Sequence, residues 1–310
     1  MSLLSIIVPC YNEESTLTFF YKEFLNVFER DLNFLNYEII FINDGSTDNT
    51  LLKIKEINAI DKNVKFISFS RNFGKESALF AGLEYSNGDY VVVMDADLQD
   101  PPSLLPEMVS IIQTNNYDIV GTRRVSRKGE PPIRSFFARM FYKIINSLSE
   151  LNLVDGARDY RMMTRSVVDS ILMLKEYNRF SKGLFNWVGF KTKWLEYENI
   201  ERFDGESSWS FWSLFQYSIE GIVAFSTIPL HISTILGIFI SLIAFLLIIF
   251  IIIRNLLFDE AVAGWTSLIC VILLLGGIQL LSIGILGKYL EKIYMETKKR
   301  PIYIIEEKKV

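Results

Sequence analysis

Two carboxylates one residue apart, Asp95 and Asp97, close the apolar run Val91-Val92-Val93-Met94, and Leu98, Gln99, Asp100 and the pair Pro101-Pro102 follow at once. The run reads as a buried strand. Ending it on Asp-x-Asp puts hard oxygen donors at the carboxyl edge of a sheet, where open α/β sheets bind ligands. Such donors suit Mg²⁺ or Mn²⁺ brought in with substrate phosphates rather than caged by protein alone. Strand alternation sends the two side chains to opposite sides unless the chain turns, and the prolines force it out of the sheet. A solvated acidic turn is the bland alternative. It loses ground because other strands end on polar loops of the same kind.

Leu4–Pro9 reads as a first strand, left through Cys10-Tyr11-Asn12-Glu13-Glu14, and Ser15 or Thr16 can cap a helix to about Phe34. Tyr37–Ile42 is a second strand ending on Asn43-Asp44-Gly45-Ser46, with Ser46 placed to cap a helix to about Asn58. Val64–Ser70 is a third, leaving through Arg71-Asn72-Phe73-Gly74-Lys75 into a helix to Tyr85, and Tyr90–Asp95 is the central strand. Strands alternating with helices predict a Rossmann-like, mostly parallel sheet with helices on both faces. Further on, Tyr117–Thr122 is another strand that leads into a basic run, Arg123, Arg124, Arg127, Lys128 and later Arg134-Ser135. Val154–Met163 is a polar island between helical stretches.

Half of the 310 residues are hydrophobic, and the mean hydropathy of +0.25 is high for an ordinary soluble enzyme. The excess lies beyond residue 228, where Ile232–Ile253 and Trp265–Leu286 are apolar stretches of 22 residues each. As helices they would be roughly 33 Å long, enough to span a bilayer core. Lys288, Lys292, Lys298, Lys299 and Arg300 follow the second stretch, and positive residues favour the inside. Leu3–Pro9 is too short for a secretory signal and lacks a basic flank. A multi-pass plasma-membrane protein with its catalytic part and both termini in the cytoplasm is expected. Before the spans, Trp209, Trp212, Phe215, Ile219, Ile222 and Val223 recur at three- and four-residue steps, as in a helix lying at the headgroup level. A core helix of the soluble part would show the same pattern. The divisions read from the sequence are a catalytic domain 1–208, an interfacial helix 209–227, a two-helix hairpin 228–290 and a basic tail 291–310.

A net charge of −4, with no basic stripe interleaved with aromatics, argues against a nucleic-acid partner. Cys10 and Cys270 fall in different compartments of this layout and do not pair. Cys270, Gly277 and Gly284 recur every seven residues, a close-packing seam against the other span or a second protomer, so self-association is expected.

Pro9-Cys10-Tyr11-Asn12-Glu13, Asn43-Asp44-Gly45-Ser46, Asn72-Phe73-Gly74-Lys75 and Asp95-Ala96-Asp97-Leu98-Gln99-Asp100-Pro101-Pro102 resemble, in order and spacing, the family 2 glycosyltransferases of GT-A fold. The nearest branch is the polyprenyl-phosphate glycosyltransferases, similar to dolichyl-phosphate mannose synthase and, in bacteria, of the bactoprenol glucosyltransferase type. The resemblance implies transfer of one sugar, with inversion, from a nucleotide-sugar, UDP-linked, to polyprenyl phosphate, with a separate flippase moving the product. Extension of a glycan or glycolipid is the alternative within the fold, and a non-catalytic anchor is the alternative outside it.

By the same resemblance, Pro9, Tyr11, Glu13 and Asp44 would hold the nucleoside. Lys75 would approach the donor phosphates or stay solvated. Asp95, Asp97 and Gln99 would carry Mg²⁺ or Mn²⁺, with Asp95 also near the donor's ribose. Arg123, Arg134 and Ser135 would meet the acceptor phosphate. Asp155 or Asp159 is the candidate base beside Arg161, and one of the two only orients an arginine. Arg202 and Ser207, in an Arg-x-x-Gly-x-Ser loop, would close over the donor diphosphate. A phosphate monoester is already largely anionic at neutral pH, so positioning by arginines matters more than proton removal.

Overall fold

The computed structural model describes residues 1–114, 116–124, 146–147, 154–198, 221–258 and 264–310. Four parallel strands form its centre: β1 (Leu3–Cys10), β2 (Asn36–Asn43), β3 (Val64–Phe69) and β4 (Tyr90–Val93). They are joined by α1 (Leu17–Asp31), α2 (Thr50–Ile60) and α3 (Lys75–Tyr85). Beyond β4 come α4 (Leu105–Thr114), β5 (Ile119–Arg124), β6 (Ala157–Thr164), α5 (Arg165–Met173), α6 (Ser181–Trp187) and β7 (Thr192–Tyr197). Two long helices, α7 (Ile228–Phe258) and α8 (Trp265–Thr297), precede a last strand, β8 (Ile305–Lys309). The eight strands lie in the order β7-β5-β6-β4-β1-β2-β3-β8.

Alternation along the strands builds a core on each face. Ile6 and Val8 of β1 point into one layer with Phe20, Phe24 and Phe28 of α1, while Ile7 points into the other with α3 and α5. The three phenylalanines recur every fourth residue, one stripe of a helix, and burying each contributes roughly 1.5–3 kcal/mol. On the second face α3 lies close to β1: a Cβ added at Gly82 would stand 2.1 Å from Ile7 Cγ2.

The sheet is more mixed than the sequence predicted. β6 runs antiparallel to both β4 and β5, and β8 runs antiparallel to β3. The segment read as a polar island is mostly strand β6, because Tyr160 and Met162 feed one core layer and Met163 the other while Arg161 is buried between them. Its charged residues hid the period of two. The tail read as a basic extension forms the rest of α8 and then β8, whose side chains are nearly all exposed. Main-chain pairing to an edge holds β8 there, helped by Lys55–Glu307 at 2.5 Å and Lys309 donating to Asn58 at 2.7 Å.

Two segments, Ile228–Ile251 and Val271–Thr297, are long and apolar enough to cross a membrane, and neither is buried within the chain. A Cβ placed on Gly277 or Gly284 would meet nothing within 4 Å, so the glycine seam does not pack on α7. α8 is tied back to the α/β unit where Glu296 Oε1 accepts the Tyr177 N–H at 2.8 Å.

Candidate active site

Topology alone gathers the polar groups at one edge. β1 to β4 are parallel, so the loops after Cys10, Asn43, Phe69 and Val93 emerge together. β6 is antiparallel to β4 and therefore begins at that edge, while β5 and β7, both antiparallel in sense to β6, end there. Arg123 and Arg124, Arg158 and Asp159, and Tyr197 thus join the loop that carries Asp95, Asp97 and Gln99.

Side chains stitch these loops in sequence. Ser46 Oγ accepts the Asn12 N–H at 3.0 Å, and Asn12 Oδ1 accepts the Thr47 N–H at 2.9 Å. Ser46 therefore clasps the neighbouring loop instead of capping a helix; α2 begins only at Thr50, whose N–H donates to Asp48 Oδ1 at 3.0 Å. Asp44 is buried, and its two oxygens accept the N–H groups of Phe73 and Gly74 at 2.7 and 2.9 Å. Burial nevertheless pushes the Asp44 carboxyl above its ordinary value, against those two hydrogen bonds. Gly45, at φ 64°, lets the two loops touch: a Cβ there would lie 2.3 Å from the Arg71 carbonyl carbon.

Lys75 opens α3 and bridges two carboxylates, Asp95 at 2.6 Å and Asp159 at 3.0 Å. Burial alone would raise the Asp159 carboxyl, but Lys75, Lys182 and Arg161 outweigh it and hold the group well below the usual range. Its chain neighbour Arg161 lies over the Phe185 ring at 3.9 Å and donates to the Arg158 carbonyl at 2.8 Å.

β4 ends at Val93, so Asp95 and Asp97 sit in the loop rather than alternating in the strand. Leu98 takes φ 58°, a left-handed conformation that turns the chain sharply between Asp97 and Gln99. Asp97 Oδ1 accepts the Gln99 N–H at 3.1 Å, and Asp100 Oδ2 accepts the Asp95 N–H at 3.2 Å. The carboxylates of Asp95 and Asp97 fit a divalent cation chemically: both are hard oxygen donors at the substrate edge, and Asp95 already attracts an ammonium. The Gln99 carbonyl oxygen is engaged elsewhere, accepting from Arg124 at 2.9 Å and Arg158 at 3.3 Å.

Of the residues expected at the site, Asp44, Lys75, Asp95, Asp97, Gln99, Asp159 and Arg161 converge on this edge. Pro9 is half-buried at the end of β1, Glu13 receives the hydroxyl of Thr16 at 2.7 Å, and Tyr11 is exposed beside them. Asp155 lies on the exposed turn before β6. Arg123 is directed to Glu196 on β7, and it is Arg124, one residue on, that faces Gln99. The two arginines close β5, whose pairing with β6 shifts register between Gly121 and Arg123, and they face different neighbours there. Arg134, Ser135, Arg202 and Ser207 lie outside the described residues, as does most of the aromatic helix from Trp209.

Glu76 and Tyr197 were not singled out from the sequence, Arg158 was read only as an arginine that an aspartate orients, and Asp100 only as part of the acidic motif. Arg158 comes within 3.6 Å of Asp100, and the Tyr197 hydroxyl donates to Asp100 at 3.2 Å. Glu76, next to Lys75, accepts the Ser181 N–H at 2.9 Å and also its hydroxyl. Burial, with the charge of Asp159, raises the Glu76 carboxyl to about 7, and burial with the charge of Asp95 raises Asp100 to about 6. Strand alternation was a usable signal for Arg124. For Glu76 and Tyr197 there was none.

The model of glycosyl transferase family 2 matches residues 5–172. A Bacillus subtilis (strain 168) protein, provisionally named glycosyltransferase CsbB, is 47% identical over 98% of this chain and 92% of its own. The bactoprenol glucosyl transferase of Shigella phage SfX is 42% identical over 99% of each chain. Among solved structures, glucosyl-3-phosphoglycerate synthase from Mycobacterium tuberculosis, in complex with Mn²⁺, UDP and phosphoglyceric acid, is 21% identical with a TM-score of 0.49, covering 72% of this chain and 76% of that one.

Proposed function

The chain belongs to glycosyl transferase family 2, and from that premise we propose that it moves one sugar from a nucleotide donor, UDP-linked, to the phosphate of a polyprenyl lipid. The observation that carries this reading is the likeness to bactoprenol glucosyl transferases over 99% of the chain, the two apolar helices included. Two helices long and apolar enough to cross a membrane fit a membrane-borne acceptor.

In this reading Asp97 and Asp95 would hold a divalent ion, Mg²⁺ or Mn²⁺, and such an ion would supply positive charge to offset that developing on the departing nucleoside diphosphate. Lys75, which bridges Asp95 and Asp159, stands at the edge where those phosphates would be bound. Asp159 pairs with Lys75 at the site, and it is the better-placed of the two base candidates, Asp155 lying on the exposed turn. The acceptor is a phosphate monoester with a second pKa near 6, so at neutral pH its attacking oxygen needs orientation more than deprotonation. Attack on the anomeric carbon opposite the leaving diphosphate gives inversion.

The pairing of β8 with β3 also bears on topology. β3 precedes both long helices and β8 follows them, yet the two share one sheet. If the helices cross the bilayer they must do so as a pair, and the lysines after the second favour the cytoplasm for the catalytic side. The uncovered glycine seam on α8 supports self-association.

The test is transfer from radiolabelled UDP- and GDP-sugars to undecaprenyl phosphate in membranes, with and without EDTA. One donor should give an EDTA-sensitive, acid-labile lipid product. No lipid product from any donor, with the protein folded and metal supplied, sinks the reading.

A further inference from the structure

We infer that Tyr303, in the tail after α8, is a positioning residue for Lys75: through Phe69 and Phe73 it fixes the loop that leads into Lys75. The role rests on the reading that Lys75 serves the donor phosphates, and it falls to a residue far from that site in the chain.

β8 runs antiparallel to β3, so the start of the tail strand lies beside the end of β3, at the edge where the polar loops gather. The N–H of Ser70, the first residue after β3, donates to the Ile304 carbonyl at 3.0 Å. One residue before Ile304, the Tyr303 ring stacks on Phe69, with centroids 4.9 Å apart and planes 17° apart. Phe69 is buried and meets Phe73 edge-on at 5.8 Å. The Arg71 guanidinium lies over the Phe73 ring at 4.0 Å. Three rings therefore lead from the tail into the loop.

Phe73 passes this on through its main chain. Its N–H donates to Asp44 Oδ1 at 2.7 Å, and its carbonyl accepts the Ser77 hydroxyl at 3.0 Å, in the first turn of α3. Gly74 follows at φ 94°, and Lys75 then opens α3 and bridges Asp95 and Asp159. Tyr303 also meets α3 itself: its ring lies 6.5 Å from that of Phe80, and its hydroxyl donates to Glu84. One side chain thus holds both the approach to Lys75 and the helix that Lys75 begins.

Covering a sheet edge needs only main-chain pairing and outward charges, which β8 supplies along its length. The ring contacts are additional, and they come from Tyr303, at the end nearest the site. Aromatic pairs contribute beyond their buried area and favour set geometries, which suits alignment. Only Lys298–Ile302 separate Tyr303 from α8, so the anchor joins a helix long and apolar enough to cross a membrane to the loop before Lys75.

Amide hydrogen exchange in full-length, ligand-free protein in nanodiscs reads the loop without requiring a transfer product. Tyr303→Ala should speed exchange of the Phe73 and Gly74 N–H groups about three- to tenfold and leave Ile7 and Ile40, in the central strands, unchanged. Tyr303→Phe keeps the rings without the bond to Glu84 and should behave as the wild type. Glu307→Gln, on the same strand but away from the rings, should do so too. UDP titrated with Mn²⁺ should bind Tyr303→Ala about three- to tenfold more weakly, with Tyr303→Phe again like the wild type. The exchange result stands whether or not UDP proves to be the donor nucleotide, so the two readings fail separately. Exchange that rises equally at Ile7 and Ile40 makes the tail a stability element alone and overturns the role, as does unchanged loop exchange in folded Tyr303→Ala. Tyr303→Leu, with bulk but no ring, is judged by the same two criteria if the alanine variant does not fold.

Discussion

At the amino-terminal end of the sheet Glu38 of β2 lies buried beside Ser5 of β1, and at the carboxyl end lie Asp100, buried in its loop, and Glu76, half-buried in the first turn of α3. Glu38 accepts the Ser5 hydroxyl at 2.5 Å and the Asn87 N–H at 2.7 Å, and pairs with Lys65 at 2.8 Å. Burial works against its charge, but Lys65, Ser5 and Asn87 prevail and hold its carboxyl below the ordinary value. The Ser5 hydroxyl in turn accepts the Gly88 N–H at 2.7 Å, so the network closes on itself. At the other end burial prevails, and Glu76 and Asp100 are both raised. The same residue type on one sheet therefore serves two purposes. A buried carboxylate whose partners are complete stabilises the fold; one that burial raises, at the edge where the polar loops gather, marks a candidate site.

The sharpest way to break this contrast is to neutralise one carboxylate at each end. Asp97→Asn should lower sugar transfer by about 10³-fold or more, since the charge on the leaving diphosphate loses its counter-ion. Glu38→Gln should leave the turnover rate within about twofold, because its network never meets substrate. Equal losses in a transfer assay would erase the distinction.

Lys75→Met should come next, with turnover down about 10- to 100-fold. Without the ammonium the Asp159 carboxyl loses the largest charge holding it down, so its pKa rises. The acid limb of the pH–rate profile, set in the wild type by the acceptor monoester near pH 6, should then move upward. An unmoved limb would show that Asp159 has no part in it.

In stability the order reverses. Glu38→Gln should cost about 1–3 kcal/mol in denaturant unfolding at neutral pH, because Lys65 is left without its counter-charge. Glu38 has a lowered folded pKa, so its contribution is present above the unfolded value and lost as pH falls through the folded one. The penalty should therefore shrink in acid.

The smallest effect is expected at Glu76. Its folded pKa of about 7 exceeds the unfolded value of 4.5, so between them the native state binds more protons and stability falls as pH rises. Glu76→Gln keeps an acceptor for Ser181 and removes that slope. Thermal unfolding at pH 5 and pH 8 should differ by a few degrees less in the variant than in the wild type.

How much of this was legible beforehand depends on which physical signal each feature left. Apolar runs ending on Asn43-Asp44 and Asp95-Ala96-Asp97 announced the parallel strands and their shared edge, because a buried strand must be apolar and must stop where its polar loop begins. The long helices were legible for the same reason: only a run of that length and hydropathy suits a bilayer. β6 and β8 were not, since one carries its charges into the site and the other is held by an edge's main-chain hydrogen bonds, which leave no trace in side-chain pattern. Composition and motif order by themselves determined the family, the edge at which the chemistry sits and the acidic pair. Only the tertiary structure decided that Arg124 and not Arg123 meets Gln99, that Lys75 links Asp95 to Asp159, and that Asp44 braces a loop. Those are contacts between residues 20 to 84 positions apart in the chain, and their existence depends on strand order and register, which local sequence does not encode.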